Sequence, residues 1–445
     1  FTQLLGDPNV AYNSTFYSLF VQDDLRLSAS FKLLFGVRYD LFKIPDSRPF
    51  APNPRSAKFK VDKNNFAPRV GFSWSVDPLS KTVLRASTGI MYEPPLINFY
   101  EDAIQRNGDP RTISVSLSPT SVGAPSFPGT LGNLPSGFTL PTQSIVAMDS
   151  DFSTQYTILS NVQLERELIR DFAVAIGYVN SVGRNLPVLV DVNLVPTGAT
   201  LADGRPIYST AVTSATRVNE AFNHVDVFQS AGHATYNALT LTMTKRMSHG
   251  FSAEAAYTLA RGTDDAPLTG TYVVGSQDDR LSDPSNRSRD KGVTPFNQTH
   301  TFSLAALIAP RITGGGLSSL LNNNQLGFII QANSGLPFNI RANRDLNLDG
   351  VANNDRPIGI DRNTGRLGRV VNVDARYSRF VPFGRVRAEL FAEAKNLFNT
   401  QNVAGVNRTV AVDAAGNPLA PLPSPFPFTS GYQQRQFQLG LKVNF

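Results

Sequence analysis

Residues 345–357 read DLNLDGVANNDRP. Asp345, Asn347 and Asp349 place side-chain oxygens at alternate positions, and Gly350 permits a sharp bend, which is how a calcium loop opens. Val351 would add its carbonyl, Asn353 or a water the next position, and Asp355 a late carboxylate. The twelfth place, normally a bidentate acid, is Arg356, so the expected calcium site is weak or variant; an Asx-rich turn would use the same residues. Other chemistry is sparse. The four histidines are His224, His233, His249 and His300. None pairs with a glutamate at metallohydrolase spacing, and three fall in expected loops or turns, where they read as solvated. No phosphate loop, dinucleotide fingerprint or nucleophile elbow occurs. The chain offers no catalytic residue and reads as a non-enzyme.

What must position these residues is a set of long hairpins. In FAPRVGFSWSVD, residues 66–77, Phe66, Val70, Phe72, Trp74 and Val76 share one face, and Arg69, Gly71, Ser73, Ser75 and Asp77 the other. Side chains alternate along a strand, so one face meets an apolar medium and the other a polar one. Strands of about 10–12 residues are long enough to cross a bilayer at a tilt, whereas soluble strands average about 5–6. Thirteen spanning strands are expected: 15–26, 29–40, 66–77, 81–92, 153–165, 169–180, 234–246, 250–261, 297–309, 325–341, 369–381, 384–397 and the C-terminal stretch ending at Phe445. Short turns fall at 27–28, 78–80, 166–168, 247–249 and 382–383, with a looser, Gly-rich connection at 310–324. Turn-rich, unstructured loops fill the opposite rim at 41–65, 93–152, 181–233, 262–296, 342–368 and 398–431. Residues 218–230 look strand-like but are assigned to an extended element inside the 181–233 loop. The fold class is therefore all-β, an antiparallel transmembrane barrel. An odd strand count cannot close such a ring, which predicts further strands upstream of Phe1.

Composition agrees. Aromatic residues make up 10% of the chain and charged residues only 17%, with a net charge of +6 and no cysteine. No basic run is long enough for a nucleic-acid footprint, thiolate metal sites are excluded, and no apolar stretch is long enough for a transmembrane helix. The mixed cluster 278–292 holds Asp278, Asp279, Asp283 and Asp290 beside Arg280, Arg287, Arg289 and Lys291. It could grip a charged ligand or lipopolysaccharide, but reads first as a solvated loop with weak ion pairs.

With the C-terminus placed in the periplasm, Asp374 and Arg376 on one strand face the lumen, as do Arg385, Arg387, Glu389 and Glu393 on the next. A two-residue turn at Pro382–Phe383 would put Arg376 opposite Glu389, the register expected here. The closing strand turns Phe437, Leu439, Leu441, Val443 and Phe445 to one apolar face.

Several phrases resemble the barrel of TonB-dependent receptors, particularly the Oar-like group with an N-terminal carboxypeptidase-regulatory-like domain. They are FVQDDLRLSASFKLLFGVRYD (20–40), NNFAPRVGFSWSVDPLSKTVLRASTGIMYE (64–93), YNALTLTMTKRMSHGFSAEAAYTLARGTDD (236–265), FNQTHTFSLAALIAP (296–310), LNLDGVANNDRP (346–357) and AELFAEAKNLFNTQNV (388–403). The resemblance implies a 22-stranded barrel in the outer membrane of a Gram-negative bacterium, surrounded by lipid and lipopolysaccharide. It further implies a plug in the lumen and energy from TonB, ExbB and ExbD. Residues 1–445 would be part of that barrel, without the plug or regulatory-like domain. The aromatic end resembles the signal read by the barrel-assembly machinery. Uptake or export of an oligosaccharide, peptide or protein is implied; a plug-free channel or an adhesin is the alternative.

Overall fold

The computed structural model describes residues 2–6, 11–47, 50–109, 112–118, 121, 123–132, 142–267, 280–314, 321–384 and 386–444. Thirteen strands join in chain order into one antiparallel sheet. They are Thr15–Arg26, Phe31–Lys43, Phe66–Ser75, Thr82–Tyr92, Tyr156–Ile169, Phe172–Asp191, Val225–Ser248, Phe251–Asp264, His300–Ile308, Asn324–Asn333, Val370–Phe383, Val386–Lys395 and Gln436–Asn444. Among the described residues the first and last are not paired with each other, so the sheet is open. No helix is long and apolar enough to cross a membrane.

Alternation carries across the whole sheet. Trp74, Leu84, Leu164, Ile176, Leu241, Tyr257, Phe302, Ala332 and Val371 are successive cross-strand partners. One residue away, the opposite face runs Ser73, Arg85, Gln163, Gly177, Thr240, Thr258, Thr301 and Asn333. The apolar row is not covered by protein: Trp74 is 41% exposed, Ile176 48% and Leu441 63%. Thirteen strands about 4.8 Å apart make a band roughly 60 Å wide. At a height of about 25 Å, that belt exceeds by several-fold the few hundred Å² that a soluble monomer leaves bare. Aromatics mark its margins, with Tyr39 on Phe66 (4.8 Å between ring centres) and Tyr92 near Tyr156 (5.4 Å) toward the long loops. Phe31 stacks on Phe72 at 5.7 Å toward the short turns.

Short turns use residues suited to tight reversal. His249 and Gly250 have φ of 53° and 76°. A Cβ on Gly250 would lie 2.7 Å from the Ala309 carbonyl, so the turn closes only with glycine there. In the 76–81 turn the Asp77 carboxylate accepts the amides of Leu79, Lys81 and Thr82.

Several boundaries differ from expectation. The 166–168 turn moves to Arg170–Asp171, because the strand runs on to Ile169. The strand expected over 325–341 stops at Asn333; Pro337–Phe338 and Arg341–Ala342 instead pair within the long-loop layer. The 218–230 element is not separate. From Val225 it is the outer end of the Val225–Ser248 strand, paired with residues 186–191 and, in parallel, with Ile145–Met148. The expected 382–383 turn lies two residues later: Phe383 pairs with Val386 and Arg376 stands opposite Glu393, not Glu389. Gly384, at φ 60°, makes the reversal that neither proline nor phenylalanine can make. Arg385 and Phe445 lie outside the described residues.

Candidate functional site

The long loops are not merely turn-rich. They contain most of the molecule's buried core and form a cap over one rim. Phe99 stacks on Phe228 at 4.4 Å, and Ile44, Tyr100, Val146, Met148, Phe152 and Leu189 complete that cluster. Phe99 and Tyr100 come from the helix Ile97–Gln105, and Leu189 and Phe228 from the projecting ends of two long strands. A second cluster joins Leu201, Phe338, Ile340, Leu346, Val410 and Val412 from three loops. Residues 418–427, with five prolines in ten positions, form neither helix nor strand, yet Phe426 packs edge-on to Phe338 at 5.2 Å.

Ion pairs run through this cap. Arg205 binds Asp355 (2.7 Å) and Asp203 (2.9 Å); Arg356 binds Asp290 (2.7 Å); Arg289 binds Asp283 (2.9 Å). Arg280 pairs with Asp226, and Arg362 with Asp264. The 278–292 cluster is thus not a solvated loop: Arg280, Asp283 and Asp290 are buried, Arg280, Arg289 and Asp290 tie the 262–296 loop to its neighbours, and Asp283 and Arg287 pair within it. Asp278 and Asp279 lie outside the described residues. Local sequence could not reveal the ties between loops, such as Arg280 to Asp226 and Arg205 to Asp355, because those partners are 54 and 150 positions apart.

The residues expected to bind calcium form a knot in the same network. Asp345 Oδ2 accepts the Gly350 amide at 2.8 Å, and Asn347 Oδ1 accepts the Asp349 amide at 3.2 Å. Asp349 accepts the Val351 amide through one oxygen and the Asn347 and Asn354 side-chain amides through the other. Both oxygens of Asp355 are used, by Arg205 and by the Leu346 amide. Asn353 is exposed. Of these groups only Asp345 keeps a buried carboxylate oxygen with no hydrogen-bond partner among the described residues. Calcium needs six to eight oxygens, and no group of three acids or histidines converges as a metal site among the described residues. As arranged, most of these oxygens are engaged in hydrogen bonds that close the loop on itself, while Asp345 Oδ1 and Asn354 Oδ1 are buried without a partner among the described residues.

Burial pushes the Asp355 carboxyl up to about 7, outweighing the Leu346 amide and Arg205, and raises Asp349 as well. A carboxyl whose folded pKa exceeds its unfolded value of about 4 binds more protons in the folded state between the two. Stability of the cap therefore falls as pH rises from about 4 to 7, and levels off above that. Hydrogen exchange of amides 345–356, corrected for intrinsic rate, is expected to be slower at pH 5.5 than at pH 8; equal protection would contradict this.

His224 is buried, not solvated, with Nδ1 2.6 Å from Asp191 Oδ2. Gly350, at φ +87°, lies against it; a Cβ there would fall 3.0 Å from Nε2. Among the described residues no serine or threonine hydroxyl is hydrogen-bonded to this ring. His233 lies 3.6 Å from Asp265, and His300 Nδ1 is 2.8 Å from the Tyr257 hydroxyl.

On the polar face of the sheet, Arg376 bridges Glu389 (2.9 Å) and Glu393 (3.3 Å), and its guanidinium lies 3.9 Å from the Phe391 ring centre. Asp374 accepts from the Asn372 side chain and the Asn396 amide, while Arg387 covers the Phe380 ring at 4.2 Å. An open depression of about 680 Å³ here carries Lys245, Glu254, Asp374, Arg376, Glu393 and Lys395, equal numbers of each sign. On the other face of the last strand Phe437, Leu439, Leu441 and Val443 are 70%, 82%, 63% and 40% exposed.

Residues 1–366 match the model of the family described as outer membrane beta barrel domain. Among solved structures, the chain is similar to the outer-membrane transporter YddB of Escherichia coli. The identity is 11% and the TM-score 0.58, covering 97% of this chain and 45% of that one. It is similar to the FrpB iron transporter of Neisseria meningitidis (12%, TM-score 0.51, 97% and 46%). The ferripyoverdine receptor of Pseudomonas aeruginosa is a third such structure (10%, TM-score 0.53, 98% and 39%). The chain thus spans less than half the length of these structures. No curated protein matches it. With an apolar belt, a polar inner face and a folded cap on one rim, the chain belongs to the outer membrane β-barrel domain family and resides in the outer membrane.

Proposed function

We propose that residues 1–445 are part of the barrel of a TonB-dependent receptor of the Oar-like group, in the outer membrane of a Gram-negative bacterium. The thirteen strands would be part of a 22-stranded ring whose remaining strands and plug precede them. The observation that carries this reading is the open sheet, continuous and alternating over thirteen strands, roofed on one side by a core-bearing cap. The similarity to three larger outer-membrane transporters and receptors, each more than twice as long, supports it. In this reading the cap receives a large ligand, an oligosaccharide, peptide or protein. Asp374, Arg376, Arg385, Arg387, Glu389 and Glu393 line the path through the lumen. TonB with ExbB and ExbD displaces the plug, and the aromatic C-terminal strand is read by the barrel-assembly machinery.

The test is the conductance of the full-length gene product in planar bilayers. A plugged receptor stays nearly silent and conducts only after the plug is removed. Steady conductance from the intact protein would instead mean a plug-free channel.

A further inference from the structure

Between residues 280–295, 339–363 and Arg408 lies a cavity of about 190 Å³. Five arginines line it (Arg280, Arg341, Arg356, Arg362 and Arg408) with a single carboxylate, Asp290. That contrasts with the balanced charge of the depression on the sheet. Three of the five have an acid partner: Arg280 pairs with Asp226, Arg356 with Asp290 and Arg362 with Asp264. Of these acids Asp226 and Asp264 are not among the lining residues, so the lining itself is strongly cationic.

Arg280 carries the argument furthest. Its side chain is 3% exposed and meets Asp226 through Nη2 only. Its Nε and Nη1 are buried with no hydrogen-bond partner among the described residues. Leaving such donors unsatisfied is costly, the more so on a charged group. An acceptor on the ligand would recover that cost.

We propose that this cavity seats one oxyanion group, a carboxylate or a phosphate, carried by the ligand; this deepens the reading of the cap as the ligand-receiving element. A guanidinium fork matches two oxygens of either group, and several forks around one cavity select charge and geometry together. The volume admits one such group with the unit bearing it, so a polymer would be gripped at a single residue or end.

The test is calorimetric titration of the detergent-solubilised full-length protein at low ionic strength. Its probes are inorganic phosphate and glucuronate, with glucose as the neutral control. Saturable binding of at least one anion, and none of glucose, is expected; whichever anion binds identifies the source of the group. Arg408→Gln and Arg408→Ala, at a half-buried position, should each weaken binding about tenfold or more while the melting temperature stays unchanged. Absence of saturable anion binding, or equal binding by wild type and both folded variants, would overturn the proposal. Anion binding by a protein that conducts steadily would retain this site while rejecting the plugged-receptor reading.

Discussion

Leu241→Arg should destabilise the barrel by about 2–4 kcal/mol, the cost of a lipid-facing arginine near the bilayer midplane. Thr242→Arg, one residue along, should cost far less. Leu241 has Ile176 and Tyr257 as its cross-strand partners on the bare apolar face, whereas Thr242 stands between Ala175 and Ala256 on the opposite one. Both substitutions add the same guanidinium; they differ in the medium it enters and in the apolar side chain lost at Leu241. Urea unfolding in lipid vesicles gives the two free energies directly, and equal costs would mean that the two faces meet the same solvent.

Arg356→Ala is expected to open the cap, with a local loss of about 3–5 kcal/mol, the range for removing one partner of a buried ion pair. The guanidinium contacts Asp290 Oδ1, the Ser282 hydroxyl and the Arg289 carbonyl, and both charged partners are almost fully buried. Truncation leaves the Asp290 carboxylate in place with only Ser282 to solvate it. Arg376→Ala removes two ion pairs instead of one, but that side chain is 41% exposed, so water can replace what is lost. Its cost should stay below about 1 kcal/mol. Hydrogen exchange reads the contrast: Arg356→Ala should release amides 281–290 and 345–356 while leaving the sheet protected. A uniform loss throughout the sheet would show that the cap and barrel unfold as one unit.

The sheet was legible because its rule is local. Period-two alternation around Phe72, Ile176 or Leu241 needs no knowledge of partners, so all thirteen strands could be placed to within a few residues, except where a strand end ran into the cap. Register was less accessible: the placement of Arg376 depends on whether Pro382–Phe383 or the following Gly384 makes the turn, and charge pairing fits either. A long arginine reaches Glu389 diagonally even though Glu393 stands directly opposite. The cap was the least legible. Its ties join Asp191 to His224, Arg205 to Asp355 and Arg356 to Asp290 across loops that look polar and proline-rich in isolation. The DLNLDGVANNDRP motif was expected to hold calcium or to form an Asx-rich turn, and in the structure its side-chain oxygens make hydrogen bonds within the loop.

These 445 residues contain no cysteine, so, with any cysteine elsewhere in the full-length protein replaced by serine, spin labels can be placed singly at Leu241, Thr242, Met243 and Thr244 of the reconstituted protein. Accessibility to oxygen, which partitions into lipid tails, and to a water-soluble nickel chelate should alternate along these four positions. Leu241 and Met243 should favour oxygen, and Thr242 and Thr244 the chelate. Labels at Leu241 and Met243 reached by neither reagent, as inside a second protein layer, would contradict the account.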